Sequence, residues 1–229
     1  MRRYLLLNLG LLCLIGLLGC SLTNSNRHLE STTVFKPHNY HSDPALSPNL
    51  HRVVLLPVHA GVVIDQQTAE TLDPVIVESL VRQLRFEVVT LSREQCENTF
   101  GTLDLSSSEA LPDNFLQTLA QRFGVEAVMF VDVTSYSPYP PLSVGLRGKL
   151  VSCSDSHYIW NFDEVFSTGN PEVITGLRVF FVTSGHSASP VDLSLNALQS
   201  PSRLVSYASY TMFSTLPFRY QISQIENKK

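Results

Sequence analysis

The sequence predicts an α/β fold: a mixed sheet in β-α-β-α-β-β-β order, with parallel crossovers, a C-terminal antiparallel hairpin and two extra C-terminal helices. Three observations predict it. Val53-Val54-Leu55-Leu56 and the stretch 125–134 are near-continuous apolar runs separated by helical stripes, as in strands buried under crossover helices. From Val144 to Phe162 the pattern alternates instead, which marks antiparallel strands with one polar face. After Asn170 the apolar period is again that of a helix.

Each element has its own signals. The first strand follows Arg52 and stops at Pro57. Asp73-Pro74 suits the start of a helix, with Asp as N-cap and Pro at the first position. Ile76, Val77, Leu80, Val81 and Leu84 then form its stripe. Residues 86–91 read as the second strand. Ser92-Arg93-Glu94-Gln95 fits a capping box, and Gly101 fits a helix stop. Pro112 opens a further helix, with Phe115, Leu116, Leu119, Ala120 and Phe123 inward and Gly124 closing it. The third strand follows, and strand-helix-strand order implies parallel pairing through right-handed crossovers. Val144 to Leu150 and Tyr158 to Phe162, joined by Ser154-Asp155-Ser156, form the hairpin. Arg147 and Lys149 share its polar face, so the sheet is expected to be less covered there. Asn170-Pro171-Glu172 and Ser200-Pro201 start the last two helices.

The N-terminus reads as a targeting segment. Residues 4–18 are mostly apolar, contain Asn8 and follow Arg2-Arg3. The run falls short of the ~20 residues a spanning helix needs and has the layout of a secretory signal. Leu17-Leu18-Gly19-Cys20 resembles the bacterial lipoprotein signal. That resemblance implies cleavage before Cys20 and acylation of its sulfur, which leaves 1–19 as the signal peptide. Two or more acyl chains give stable anchoring where one does not. Ser21, rather than Asp, implies sorting to the outer membrane. Residues 20–50, rich in Ser, Asn, His and Pro, read as the lipidated end and a tether. Residues 51–217 read as one globular domain, with 167–217 a helical extension, and 218–229 as a tail.

Loss of residues 1–19 leaves 210 of 229 residues and takes the net charge from −4 to −6. A mildly acidic chain without a Lys/Arg block argues against nucleic acid. Of four cysteines, Cys13 leaves with the signal and Cys20 is acylated. Cys96 and Cys153 remain, either paired or free.

The runs Arg52-Val-Val-Leu-Leu-Pro57 and Gly124-Val-Glu-Ala-Val-Met-Phe-Val-Asp-Val133, with Ile159-Trp160 in the hairpin, resemble a periplasmic lipoprotein fold. Curli-secretion lipoproteins, lipoprotein activators of penicillin-binding proteins and the N-terminal domain of the Tol propeller protein share it. The resemblance covers about residues 50–166. It implies a non-enzymatic envelope protein that works by contact with other proteins, and it transfers no binding residue.

Candidate chemistry is sparse. Gly185-His186-Ser187-Ala188-Ser189 has part of a hydrolase elbow but lacks its last glycine, and no histidine follows the serine. His38 and His41 form the closest histidine pair, without a clear third ligand. Asp132 interrupts an apolar strand, where an unpartnered carboxylate is costly; a place near the strand end, bonded to a turn, is the plain expectation. Tyr136-Ser-Pro-Tyr139-Pro140-Pro141 is stiffened by proline and presents tyrosines, which suit interfaces. Tyr136 and Tyr139, with Arg147 and Lys149 beside them, are the expected partner-binding residues. The expected function is that of a lipid-anchored accessory or scaffold protein of the outer membrane, facing the periplasm. It would have no catalysis, metal or cofactor beyond the lipid on Cys20, and its partner would be another envelope protein. An oligomeric secretion or pore component is the first alternative, an envelope hydrolase using Ser187 or Asp132 the second.

Overall fold

The computed structural model describes residues 33–183 and 200–219. Residues 1–32, with the expected signal segment and Cys20, residues 184–199, with Ser187, and residues 220–229, in the expected tail, lie outside the described residues. From Ser31 onward the chain forms one compact unit. Its strands are β1 (Tyr40–Ser42), β2 (Arg52–Leu55), β3 (Glu87–Thr90), β4 (Ala127–Ser137), β5 (Ser143–Ser152) and β6 (Tyr158–Ser167). Its helices are α1 (Gln66–Val81), α2 (Arg93–Phe100), α3 (Phe115–Phe123), α4 (Pro171–Thr183) and α5 (Pro201–Ser214).

The six strands form one mixed sheet in the order β1-β6-β5-β4-β2-β3. β2 is parallel to both β3 and β4, and β4, β5, β6 and β1 are joined antiparallel. The predicted fold class is therefore the observed one. Each buried strand feeds two cores, because alternate side chains point to opposite faces. Val53, Leu55, Ala127, Met129 and Val131 pack under α1, α4 and α5. Val54, Leu56, Val128 and Phe130 pack under α2 and α3 with Cys96, Phe115 and Leu119.

Several boundaries differ from the sequence reading. α1 begins eight residues before Pro74, with Asp65 as N-cap accepting from Thr68 N at 2.7 Å. Its first two turns are polar apart from Ala69 and Leu72, so the apolar stripe was visible only after Pro74. Asp73 is not a cap; its carboxylate accepts from Val58 N at 2.9 Å. Leu84 leaves the helical stripe altogether: its φ is 52° and it is 86% exposed. The third helix starts at Phe115 rather than Pro112, with Asn114 in the left-handed region at its N-cap. The box at Ser92 and Gln95 and the left-handed Gly101 cap are as expected.

The tether reading is corrected over residues 33–50. Phe35 is buried, and its ring meets Phe166 edge-on at 5.2 Å. His38 N and Asn39 N both donate to Glu164 Oε1 at 2.9 Å, and β1 then pairs with β6. A polar composition concealed this because the segment adds backbone bonds and only three buried apolar side chains, Phe35, Leu46 and Leu50. The start of the predicted tail is also fixed: Leu46 N donates to Phe218 O, and Arg219 Nη2 donates to Leu50 O.

Trp160 and the last helix set the packing under β5. The indole lies fully buried across Gly148, and its Nε1 donates to Thr215 Oγ1 at 2.9 Å. A Cβ on Gly148 would sit 2.5 Å from Trp160 Cη2, the rigid end of the ring. Gly148→Ala should therefore lower stability by about 1–3 kcal/mol through overpacking. A denaturant titration checks this, with the midpoint falling and the slope unchanged.

Candidate interaction surface

The surface is organised by one buried cation. Arg93, in the first turn of α2, is 9% exposed. Its Nε and Nη2 donate to the Asp73 carboxylate of α1 at 2.9 and 3.1 Å. Nη1 donates to Asp104 Oδ2 at 2.8 Å, and Nη2 also donates to Val58 O at 2.8 Å. Asp104 in turn accepts from His59 Nδ1 at 2.7 Å. The guanidinium thus joins the end of β2, the middle of α1 and the loop after α2. Burial pushes the Asp73 carboxyl above its ordinary value, against the pull of Val58 N–H and Arg93. Above this cluster, a groove of about 630 Å³ runs between α1 and the end of β3, lined by Pro57, Pro74, Val77, Val81, Thr90 and Gln95.

The loop that Asp104 belongs to is held down a second time. Asp132, 3% exposed, accepts from Ser107 N at 3.1 and 3.2 Å and from Ser107 Oγ at 2.6 Å. Lys149 Nζ donates to Ser107 O at 2.6 Å, and Arg147 Nη1 donates to Ser108 Oγ at 2.8 Å. So residues 104–108 lie over β4 on the face of α2 and α3. Asp132 sits in mid-strand, opposite Arg147, not near the strand end; its bond to a turn is as expected.

Beyond that loop the same face of the sheet is open. Register places His41, Asn161 and Lys149 in one cross-strand row, with Asp163 beside Arg147 in the next. Arg147 Nε donates to Asp163 Oδ2 at 2.8 Å, and Asn39 Nδ2 donates to Asp163 O. The Tyr158 ring lies 5.8 Å from Lys149 Nζ. These side chains border a shallow trough of about 260 Å³. Tyr158, which lines it, and Val165, farther along β6, stand half-exposed. Among the described residues the main helix contact of β5 and β6 is α5, on the reverse face; on the face of Arg147 and Lys149, Val151 at the end of β5 joins the cluster under α2 and α3.

The four residues expected to bind a partner are not one patch. Arg147 and Lys149 lie on the open face. Tyr136, paired with Val144, packs on the opposite side against the α1–α5 core, and burial raises its phenol pKa. Tyr139 is 77% exposed in the β4–β5 loop, beyond the end of the sheet. A bulge at Thr134 separates the two halves of β4, and the register change it imposes was not readable from alternation. Sequence reasoning also missed Tyr158, Asn161, Asp163 and His41 as neighbours of Lys149. Alternation along the hairpin would have supplied Asn161 and Asp163, but Tyr158 reaches this face only through the register shift after Leu150, and β1 had no strand signal.

His38 Nδ1 lies 3.5 Å from Glu164 Oε1, and His157 Nε2 lies 3.0 Å from Asp43. Among the described residues no three histidines, cysteines or acids are placed to hold a metal ion. Nor is any described helix long and apolar enough to cross a membrane.

No family model matches the chain, and no curated protein does. Solved structures resemble parts of it. Lipoprotein GNA1162 from Neisseria meningitidis is 15% identical, covering 60% of this chain and 99% of its own, with a TM-score of 0.43. The PelC dodecamer from Paraburkholderia phytofirmans is 14% identical over 75% and 95%, with a TM-score of 0.39. The LpoB C-terminal domain from Escherichia coli is 17% identical over 51% and 82%, with a TM-score of 0.33. At such identity and superposition, no residue and no role transfers to this chain.

Two outcomes follow. Arg93→Ala leaves Asp73 and Asp104 without their cation, and removing one partner of a buried pair costs about 3 kcal/mol or more; thermal or denaturant unfolding reads this. Cys96 and Cys153 are free thiols, each pushed up to about 11, chiefly by burial. At pH 8 only about one thiol in a thousand is then ionised, and the thiolate is the reactive form. Iodoacetamide labelling of either site, read by mass spectrometry, should be about a hundredfold slower in the folded protein than in urea.

Proposed function

We propose that the protein is a lipid-anchored lipoprotein of the bacterial envelope that acts by binding another envelope protein, as an accessory or scaffold, without chemistry of its own. The anchor is Cys20, at the outer membrane and facing the periplasm. The observation that carries the reading is the open face of β5, β6 and β1. A sheet face left without a helix normally meets solvent or a partner. Here Arg147 is held by Asp163 across the strands and Lys149 by Ser107 O, so these two long side chains have little freedom left to lose on contact. Half-exposed Tyr158 and Val165 supply apolar area beside the charges, the mixture that contact sites favour. Support for the anchor is the Leu17-Leu18-Gly19-Cys20 box and the basic, then apolar, segment before it.

A photo-crosslinking residue placed at Asn161 in living cells tests this. Capture of a discrete protein from Asn161, and none from a control at Leu84, is the expected result. The double variant Tyr158→Ala, Val165→Asp should cut capture about tenfold, as loss of a central contact does, with circular dichroism unchanged. Identical capture from both positions, or none from Asn161, overturns the reading.

A further inference from the structure

We propose that the end of the domain carrying the C-terminal ends of β2, β4 and β6 rests on the bilayer, with Val62, Val63 and Tyr139 seated at its interface. The inference deepens the function proposed above and rests on its anchor at Cys20. Strand directions define this end: β2 and β4 are parallel, and two antiparallel steps bring β6 back to the same direction. Three of the loops at this end bear on the seating. The loop after β2 carries Val62, which is fully exposed, and Val63. The loop after β4 carries Tyr139 between prolines. The loop after β6 leads into α4.

The chain enters the domain at this same end. Thr33 Oγ1 donates to Glu172 Oε1 at 2.9 Å, and Phe35 N donates to Glu172 O at 3.1 Å. Glu172 lies in the first turn of α4. Just before it, Thr168 N donates to Leu142 O at 2.9 Å, which ties the β4–β5 loop to the entry point. From Cys20 to Thr33 is a short covalent path, and thirteen residues span at most about 45 Å when fully extended. An acylated Cys20 would therefore hold the domain through this end, where the chain enters it.

Exposed valines and a tyrosine are costly in water and favourable at a bilayer interface, where tyrosine rings concentrate. Proline on both sides of Tyr139 holds the ring outward without further ordering on contact. The seating is apolar, not ionic: the exposed groups that define it are Val62, Val63 and Tyr139, and Asp65 follows directly in the loop after β2. It also leaves the open face of β5 and β6 standing across the membrane plane, free for a protein.

The full lipidated protein in phosphatidylethanolamine–phosphatidylglycerol vesicles tests this. An environment-sensitive fluorophore is attached at Val62→Cys or Tyr139→Cys, with Tyr158→Cys, at the other end of β6, and Leu84→Cys as controls. Emission at the first two positions should rise about twofold or more and be quenched by doxyl-lipid, as for groups entering the interface, while the controls stay water-like. Added salt should leave the signal unchanged. If mass spectrometry shows acyl chains on Cys20 but positions 62 and 139 match the controls, this inference falls and the anchor stands. If Cys20 carries no acyl chain, both fall.

Discussion

The fold depends on where Arg93 puts its positive charge. Three elements distant in sequence converge on it: the end of β2 through Val58 O, α1 through Asp73, and the loop after α2 through Asp104. A buried guanidinium is stable only when its donors are filled, and here two carboxylates and a carbonyl fill them. Because Asp104 is fixed, the loop after it is laid across β4, where Asp132 and Lys149 receive Ser107. The polar network therefore decides how much of the sheet is covered and where the open face begins. Hydrophobic burial alone would not set that limit, since the apolar residues of β4 are satisfied by α3 on one side and α1 on the other.

Strand order and helix count were legible because buried runs and helical stripes repeat over many residues. The alternation of β5 was legible too, and with it the shared face of Arg147 and Lys149; the bulge that turns Tyr158 to that face was not. What escaped the sequence has physical causes. The first half of α1 is polar, so the apolar stripe marks only the part after Pro74, which stands in mid-helix. β1 is three residues long and held by backbone bonds to β6, which leave no mark in side-chain pattern. Tyr136 and Tyr139 are three residues apart, yet one packs on the core and the other points past the sheet. The Arg93 cluster was invisible because its members span Val58 to Asp104, and each alone looks like an ordinary surface charge.

The two proposed surfaces divide the molecule by chemistry. The open face offers paired charges, amides and a tyrosine in fixed rows, suited to a shaped protein partner. The loop end offers valines and a tyrosine without a partner charge, suited to a surface with no fixed shape. One follows from a sheet covered on only part of a face, the other from strand direction and the point of chain entry. The short entry segment links them, since it pairs with β6 and joins the domain at the loop end.

The chain holds a single tryptophan, sealed between Gly148 and the residues that follow α5, its indole nitrogen tied to Thr215. That position makes it a built-in optical gauge. Its colour of emission registers whether the final helix is seated, whatever happens at the loop tips or along the exposed strands. Seating of the C-terminal segment can thus be watched in the native molecule, with no added dye.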